Sequence, residues 1–298
     1  MKVSYDFSEK KYGYYFPFEE VYSKKSCFQH ITIGDSEAFG RILFLDDTIQ
    51  IAEADEFIYH ESLVHVPICM VDAKKVLILG GGDLCALREV LKHPVEKAIM
   101  IDMDGDVIEA SKKYLADINK RSWEDPRADM KIGNALDYVK ETSEKFDVVI
   151  SDLTDPGEAG DYFYSKEFYD LCKNIMTEKS LLVTHGSISS NPEFIAEKVY
   201  AGFKELFRHS AFYSTRIQSF NSDYGFMIGS DNTDVSKHDW EKIRERAAGI
   251  QGELKHYSPE IQKAMFSIPE WMREKIEKGN YAGLRTWFSD SLPKDAYR

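Results

Sequence analysis

The sequence predicts an α/β protein: a mostly parallel sheet with helices on both faces, preceded by a small antiparallel β domain. Three observations predict it. Short apolar runs bounded by polar residues or glycine recur at 75–79, 97–101, 129–132, 147–151 and 180–184. Helical patterns lie between them, at 84–92, 105–115, 135–141 and 165–176, and strands alternating with helices build a parallel sheet. Before position 55 the rhythm differs: apolar and polar residues alternate over 28–33, and 34–40 supplies turn residues. Strand patterns follow at 41–45 and 48–52, joined by Asp46 and Asp47. A helix is expected over 55–66, with Asp55 as its cap and Pro67 as its limit. After a further helix at 191–206, the runs 211–217 and 224–230 read as an antiparallel pair closing the sheet. Helices near 240–248 and 269–278 complete a charged, aromatic tail. The expected division is therefore 1–66 for the β domain and 67–298 for a Rossmann-like domain with its helical tail.

The 298 residues are 43% apolar, enough to bury one large core or one large and one small. Acidic residues outnumber basic ones by 51 to 38, for a net charge of -13. That sign repels phosphate backbones and anionic membranes and concentrates cations, which argues against a nucleic-acid partner. No CxxC pair occurs among Cys27, Cys69, Cys85 and Cys172, so a disulfide scaffold or zinc ribbon is not expected. The first residues lack the apolar core of a signal peptide, and no apolar run is long enough to span a bilayer. A cytoplasmic protein without a membrane partner is the expectation.

The first chemical signal is the strand at 75–79 running into Gly80, Gly81, Gly82 and Asp83 and then a helix. Glycines permit a tight turn and let a ligand approach the backbone. A carboxylate at Asp83 opposes a pyrophosphate there and suits a sulfonium or an ammonium. This favours an adenosylmethionine-like ligand over a dinucleotide. Asp102 ends the next strand, 22 residues after Gly80, where an acid accepts hydrogen bonds from ribose hydroxyls. Asp104 can cap the following helix. After the third strand, Asn134 and Ala135 can face an adenine edge, and Asn134 can equally cap a helix.

The fourth strand ends in Asp152, with Asp155 and Pro156 close behind. Ligands of open α/β sheets lie beyond the carboxyl ends of the strands. Paired acids there can hold an ammonium, accept its proton and leave a nucleophilic amine. Two patterns read as structural. His60 and His65 are five apart, one too many for a shared zinc-binding helix face. Tyr162, Phe163, Tyr164, Phe168 and Tyr169 read as packing.

Together these segments resemble the spermidine synthase family, the polyamine aminopropyltransferases. The likeness runs from about 28 to 228 and is carried by several linked segments. They are Phe28-Gln29-His30-Ile31, the run 40–46, the run 49–61 with its Asp55-Glu56-Phe57-Ile58-Tyr59-His60-Glu61, the glycine loop with Leu87-Arg88-Glu89-Val90, Asp152-Leu153-Thr154-Asp155-Pro156, and His256-Tyr257-Ser258-Pro259-Glu260. The resemblance implies a Rossmann-like domain of the adenosylmethionine-transferase type. It implies decarboxylated S-adenosylmethionine as co-substrate, no metal, and a small-molecule amine as acceptor: putrescine, agmatine, spermidine or a related polyamine. It assigns the ribose to Gln29 and Asp102, the donor's aminopropyl ammonium to Asp83, and a place near the donor to Gln50. Tyr59, Asp152 and Asp155 would orient and deprotonate the attacking amine. A homodimer or homotetramer is implied as well.

The sequence departs from the family pattern at five places. Leu84 stands where glycine is usual, Asn134 where aspartate is, and His185 where glutamine is. Gln218-Ser219-Phe220 replaces Pro-Thr-Tyr, and residues 157–160 lack the common Gly-Pro-Ala. That loop and the spacing from Phe220 to Gly225 are closer to the thermospermine synthase branch. His185 and Phe220 thus belong to an acceptor pocket unlike the putrescine type. Two alternatives stay open: an N-methyltransferase using intact S-adenosylmethionine, and a non-catalytic homologue.

Overall fold

The computed structural model describes residues 4–7, 12–15, 17–154, 162–189 and 196–279. A two-stranded hairpin, β1 (Ser4–Phe7) and β2 (Tyr12–Tyr15), precedes a four-stranded antiparallel sheet. That sheet contains β3 (Glu19–Lys25), β4 (His30–Ser36), β5 (Gly40–Leu45) and β6 (Thr48–Ala52), in that order. The sequence pattern misses β3. Its side chains are mostly exposed on both faces, so it carries no alternation to read.

Helix α1 (Glu56–Met70) leads into the large sheet. The division expected at residue 66 falls inside this helix. Pro67 does not end it: it lies within the helix, and buried Val64, Val66, Ile68 and Cys69 surround it. Packing of that stretch outweighs the backbone hydrogen bond a proline forgoes. Asp55 sits at the cap position but makes no capping bond. Its carboxylate instead accepts from the Ser219 backbone N–H at 2.7 Å, tying the start of α1 to the turn that carries Phe220.

The large sheet is built from β7 (Lys75–Gly80), β8 (Lys97–Asp102), β9 (Ala128–Ile132), β10 (Phe146–Asp152), β11 (Met176–Ile188), β12 (His209–Ile217) and β13 (Ser222–Ser230). Its order is β12-β13-β11-β10-β7-β8-β9. β7 to β11 are parallel, and β13 pairs antiparallel with both β11 and β12. The expected closing pair is present, with β13 in the inner place. Period-two alternation sends Val76, Ile78, Val148 and Ile150 to one face and Leu77, Leu79, Ile101 and Val149 to the other. Leu63, Val64 and Val66 of α1 and Leu87 and Val90 of α2 (Cys85–Leu91) cover the first face. α5 (Ala135–Glu141), α6 (Lys166–Asn174) and α7 (Ala196–Leu206) cover the second. A third core joins Ile31, Ile33, Leu43 and Ile51 of the N-terminal sheet to Val107 and Ala110 of α3 (Gly105–Tyr114), which a short α4 (Ala116–Asn119) follows. That core seats the small sheet over the carboxyl ends of β7 and β8.

The C-terminal segment forms α8 (Trp240–Ala248), α9 (Pro259–Met265) and α10 (Glu270–Lys278). It is anchored at one buried carboxylate. Glu61, 1% exposed on α1, accepts the backbone N–H groups of Lys255, His256 and Tyr257 at 2.9, 2.9 and 2.6 Å. No helix among the described residues is long and apolar enough to cross a membrane. Glu61→Ala leaves three backbone donors without their carboxylate, the Tyr257 N–H among them buried, and should lower stability in urea unfolding by about 3 kcal/mol.

Candidate functional site

The chain reverses its direction of sheet growth at β7: β8 and β9 extend one way and β10 lies on the other side. Such a switch point opens a crevice at the carboxyl ends of the strands. A cavity of about 440 Å³ lies there. Gln29, Gln50, Tyr59, Gly80, Gly81, Gly82, Asp83, Asp102, Asn134, Ala135, Asp152, His185 and Phe220 all line it. Asp155 lies outside the described residues, as do 157–160. Among the described lining residues there is no lysine or arginine, while Asp46, Asp83, Asp102 and Asp152 face the space.

The glycines are explained by contact. Gly80 has φ +85°, and a Cβ there would meet Asp152 O at 2.0 Å. The Gly81 N–H donates to that same carbonyl at 3.1 Å. A Cβ on Gly82 would approach Asp102 Oδ2 to 2.8 Å. The loop can therefore lie against both acidic strand ends only without side chains at these positions. Leu84 follows at φ +71°, left-handed backbone that favours glycine. Its side chain is fully buried in the core with Leu63 and Leu87.

At one end of the cavity, Asp102 Oδ1 accepts from the Asp104 N–H at 2.9 Å. Burial and the Asp104 charge push the Asp102 carboxyl up to about 6, against the pull of the Asp104 and Gly82 N–H groups. Asp104 caps α3 through the Asp106 N–H. Its other oxygen accepts from Ser26 Oγ at 2.7 Å and Gln29 Nε2 at 3.0 Å, which holds Gln29 beside Asp102. Asn134 Oδ1 caps α5 through the Leu136 N–H at 2.8 Å, so this residue both caps a helix and lines the cavity.

Asp83 and Asp152 meet deeper in. Asp83 Oδ1 accepts from the Cys85 N–H at 2.7 Å and lies 3.6 Å from His60 Nε2. Burial opposes its ionisation, but the His60 charge and the Cys85 N–H prevail and hold it below the ordinary carboxylate range. Asp152 Oδ1 accepts from the Tyr59 hydroxyl at 2.6 Å. Burial and the Asp83 charge push its carboxyl up, against His60 and Tyr59. Two neighbouring acids are thus driven in opposite directions.

An aromatic wall closes the far side. The Tyr59 ring lies 5.6 Å from Tyr224, 6.0 Å from His185 and 6.2 Å from Phe220, centroid to centroid. His185 Nε2 is 2.6 Å from the Leu153 carbonyl, which only accepts, so Nε2 carries a proton. Nδ1 faces the Tyr224 hydroxyl at 3.1 Å. Sequence reasoning missed Tyr224, although it shares a face of β13 with Phe226. It also missed Phe28, Ile49 and Met103, which reach the cavity from other elements without a local signal. Phe163 lines the cavity too, beyond the packing role expected of its cluster. His60 and His65 do not share a ligand: His65 bridges Glu89 and His93 at 2.9 and 2.8 Å. Glu56, His60 and Cys85 bring metal-ligating atoms within 4.8 Å of one another. Both Glu56 oxygens are held by Arg88, and burial pushes the Cys85 thiol well above its ordinary value, which disfavours the thiolate a metal needs.

Fold and cavity define an α/β protein of the adenosylmethionine-transferase type. The profile of the "Spermine/spermidine synthase domain" matches residues 56–239, and that of the "Spermidine synthase tetramerisation domain" matches 18–53. The chain is 38% identical over 255 residues to a polyamine aminopropyltransferase of Korarchaeum cryptofilum, covering 85% of this chain and 79% of the relative. It is 37% identical over 262 residues to one of Saccharolobus solfataricus, covering 86% of each. Among solved structures, a spermidine synthase in complex with the transition-state analogue AdoDATO superposes with a TM-score of 0.86 at 32% identity, over 93% of this chain and 95% of that one. The spermidine synthase of Thermotoga maritima gives 0.85 at 31%, over 93% and 94%. The chain belongs to the spermine/spermidine synthase family of aminopropyltransferases, as the sequence resemblance implied.

Leu84 weighs two terms against each other. Glycine there relieves about 1–2 kcal/mol of left-handed strain but removes a buried side chain worth roughly 2–5 kcal/mol. Leu84→Gly should therefore lower stability in thermal unfolding by about 2 kcal/mol, with donor affinity in calorimetry unchanged.

Proposed function

We propose that this chain moves an aminopropyl group from decarboxylated S-adenosylmethionine to a di- or polyamine and releases methylthioadenosine. The observation that carries the reading is the pair Asp83 and Asp152: one acid held ionised and one pushed toward protonation, in a cavity whose described lining holds no lysine or arginine. Gln29 and Asp102 take the ribose hydroxyls, and Asn134 and Ala135 take the adenine edge. Asp83 binds the aminopropyl ammonium. A donor carrying a carboxylate would set two anions side by side there, so Asp83 also selects against intact S-adenosylmethionine.

On the acceptor side, Tyr59 and Asp152 orient the amine and Asp152 takes its proton. Asp155 shares that task in this proposal. The freed nitrogen lone pair attacks the aminopropyl carbon bonded to sulfur. The C–S pair returns to sulfur, the sulfonium becomes a neutral thioether, and the proton leaves through Asp152 to water. Loss of the sulfonium charge assists the step, so the enzyme chiefly aligns the partners and accepts a proton. His185, Phe220 and Tyr224 form the wall against which the acceptor chain lies, and an aromatic wall suits a cationic amine. Putrescine, agmatine, spermidine or a related polyamine is the acceptor class.

The remaining assignments are a cytoplasmic homodimer or homotetramer, with the N-terminal β domain as the assembly element and the remainder as the catalytic unit. The matched tetramerisation profile supports assembly through residues 18–53.

A methylthioadenosine-release assay with decarboxylated donor and an amine panel tests the activity; no release with any amine overturns it. In calorimetry the decarboxylated donor should bind at least about tenfold more tightly than intact S-adenosylmethionine, and Asp83→Asn should abolish that preference. A base must be deprotonated to act, and the Asp152 carboxyl is raised. The rate should therefore fall as pH drops through that raised range. Asp152→Asn should reduce kcat by roughly 10²–10⁴-fold and erase this acid limb.

A further inference from the structure

Behind the cavity lies a buried chain of charges that no step above uses. His60 is 1% exposed and is not among the residues lining the cavity. Its Nδ1 faces two acceptors, the Glu56 carbonyl at 2.9 Å and Glu56 Oε2 at 2.8 Å. Its Nε2 faces Asp83 Oδ1 at 3.6 Å. Carbonyl and carboxylate oxygens only accept, so Nδ1 carries a proton, and a ring set between two carboxylates at ion-pair distance is favoured as the cation. Glu56 is itself clamped. Arg88 Nη1 donates to Oε1 at 2.8 Å and Nη2 to Oε2 at 2.9 Å, a two-pronged contact that fixes the carboxylate plane. Arg88 is fixed in turn by the Ile118 carbonyl at 2.6 Å and by Glu89 at 2.5 Å.

We propose that Glu56 and Arg88 are positioning residues that hold His60 as an imidazolium beside Asp83, and that this buried cation divides the labour of the two cavity carboxylates. It keeps Asp83 an anion that receives the donor's ammonium, and it keeps Asp152 from rising so far that it can no longer serve as a base. The proposal deepens the transfer reading above and rests on it for its kinetic arm alone.

The charged and titratable groups around the ring come from four places. Glu56 and Tyr59 lie on α1, Asp83 in the glycine loop, Arg88 and Cys85 on α2, and Asp152 at the end of β10. Burial alone would lower the His60 pKa, but Asp83 and Glu56 push it up to about 10. The sign follows: the imidazolium is fully present below the ordinary value of 6.5 and is lost only as pH rises through about 10. Glu56 is held low by His60 and Arg88 in spite of burial.

The test reads His60 directly. In the full-length protein with labelled histidine, imidazole NMR should show His60 protonated on both nitrogens at pH 8. Glu56→Gln should move that titration down by about one pH unit or more. His60→Gln removes the cation at every pH, which lets Asp152 rise, so the acid limb of kcat/KM should move about one unit upward. A neutral His60 at pH 8 in the unaltered protein overturns the proposal, and so does an unmoved acid limb in His60→Gln. Should Glu56→Gln not fold, the unaltered protein and His60→Gln still decide. If no amine supports transfer, the proposed function fails and the NMR arm alone judges the imidazolium.

Discussion

The hydrogen bond from Gly81 N–H to the Asp152 carbonyl, 3.1 Å long, joins the glycine loop to the end of β10. Almost every feature of the cavity depends on the closeness it marks. β7 and β10 are neighbours in the sheet, with Gly80 in register with Asp152. The loop must leave β7 without striking that carbonyl, which only a residue lacking Cβ can do at φ +85°. Once the loop takes this path, Asp83 lands beside Asp152, and Gly82 lets Asp102 close in from β8. The acids come from three separate stretches of chain, and the parallel sheet with its switch point is what brings them to one place.

Closeness has an electrostatic cost. Buried carboxylates resist ionisation, and each raises the pKa of its neighbour. Burial and neighbouring aspartates push the carboxyls of Asp102 and Asp152 up. Asp83 escapes it because the protein sets His60 on its far side and backs His60 with Glu56 and Arg88. A cationic ligand would relieve the rest of the strain, since it brings positive charge to the side the protein leaves open. The acids lining the cavity are matched in charge to the proposed donor, a sulfonium with an ammonium arm. The negative surface works in the same direction at longer range, raising the local concentration of cations.

Much of this was legible in the sequence because it was written locally. The strands of the large sheet are short apolar runs, and each helix between them has its cap or its period. Asp83, Asp102, Asn134 and Asp152 sit at or just beyond strand ends, where fold logic alone says a ligand lies. What was not legible depended on partners distant in sequence. β3 has exposed faces and so no alternation, and α1 outruns Pro67 because of what packs around it. The short α9 announced itself only by Ser258, which caps it, and Pro259 at its start. Asp55 looked like a cap, and its bond to Ser219 could not be read from spacing. Tyr224 and Ile49 reach the cavity through β13 and the N-terminal sheet, which no local pattern links to the glycine loop.

The departures from the family pattern separate into two kinds once the geometry is known. Leu84 is conformational: it occupies a backbone setting that favours glycine, and its side chain turns into the core rather than the cavity. The loop's cavity-facing surface therefore keeps its shape. His185 and Phe220 are different, because both line the cavity. His185 is gripped by the Leu153 carbonyl and by the hydroxyls of Tyr164 and Tyr224. Phe220 sits on a turn that Asp55 pins through Ser219. A ring held from several sides is a wall rather than a probe, and it offers a ligand its shape and its π face more than a free hydrogen-bonding group. In the proposed transfer, changes of that kind leave the donor and the proton acceptor in place while altering the length and breadth of amine that can lie beside them. Variation in acceptor choice is therefore expected from this wall, and constancy in donor choice from the glycine loop.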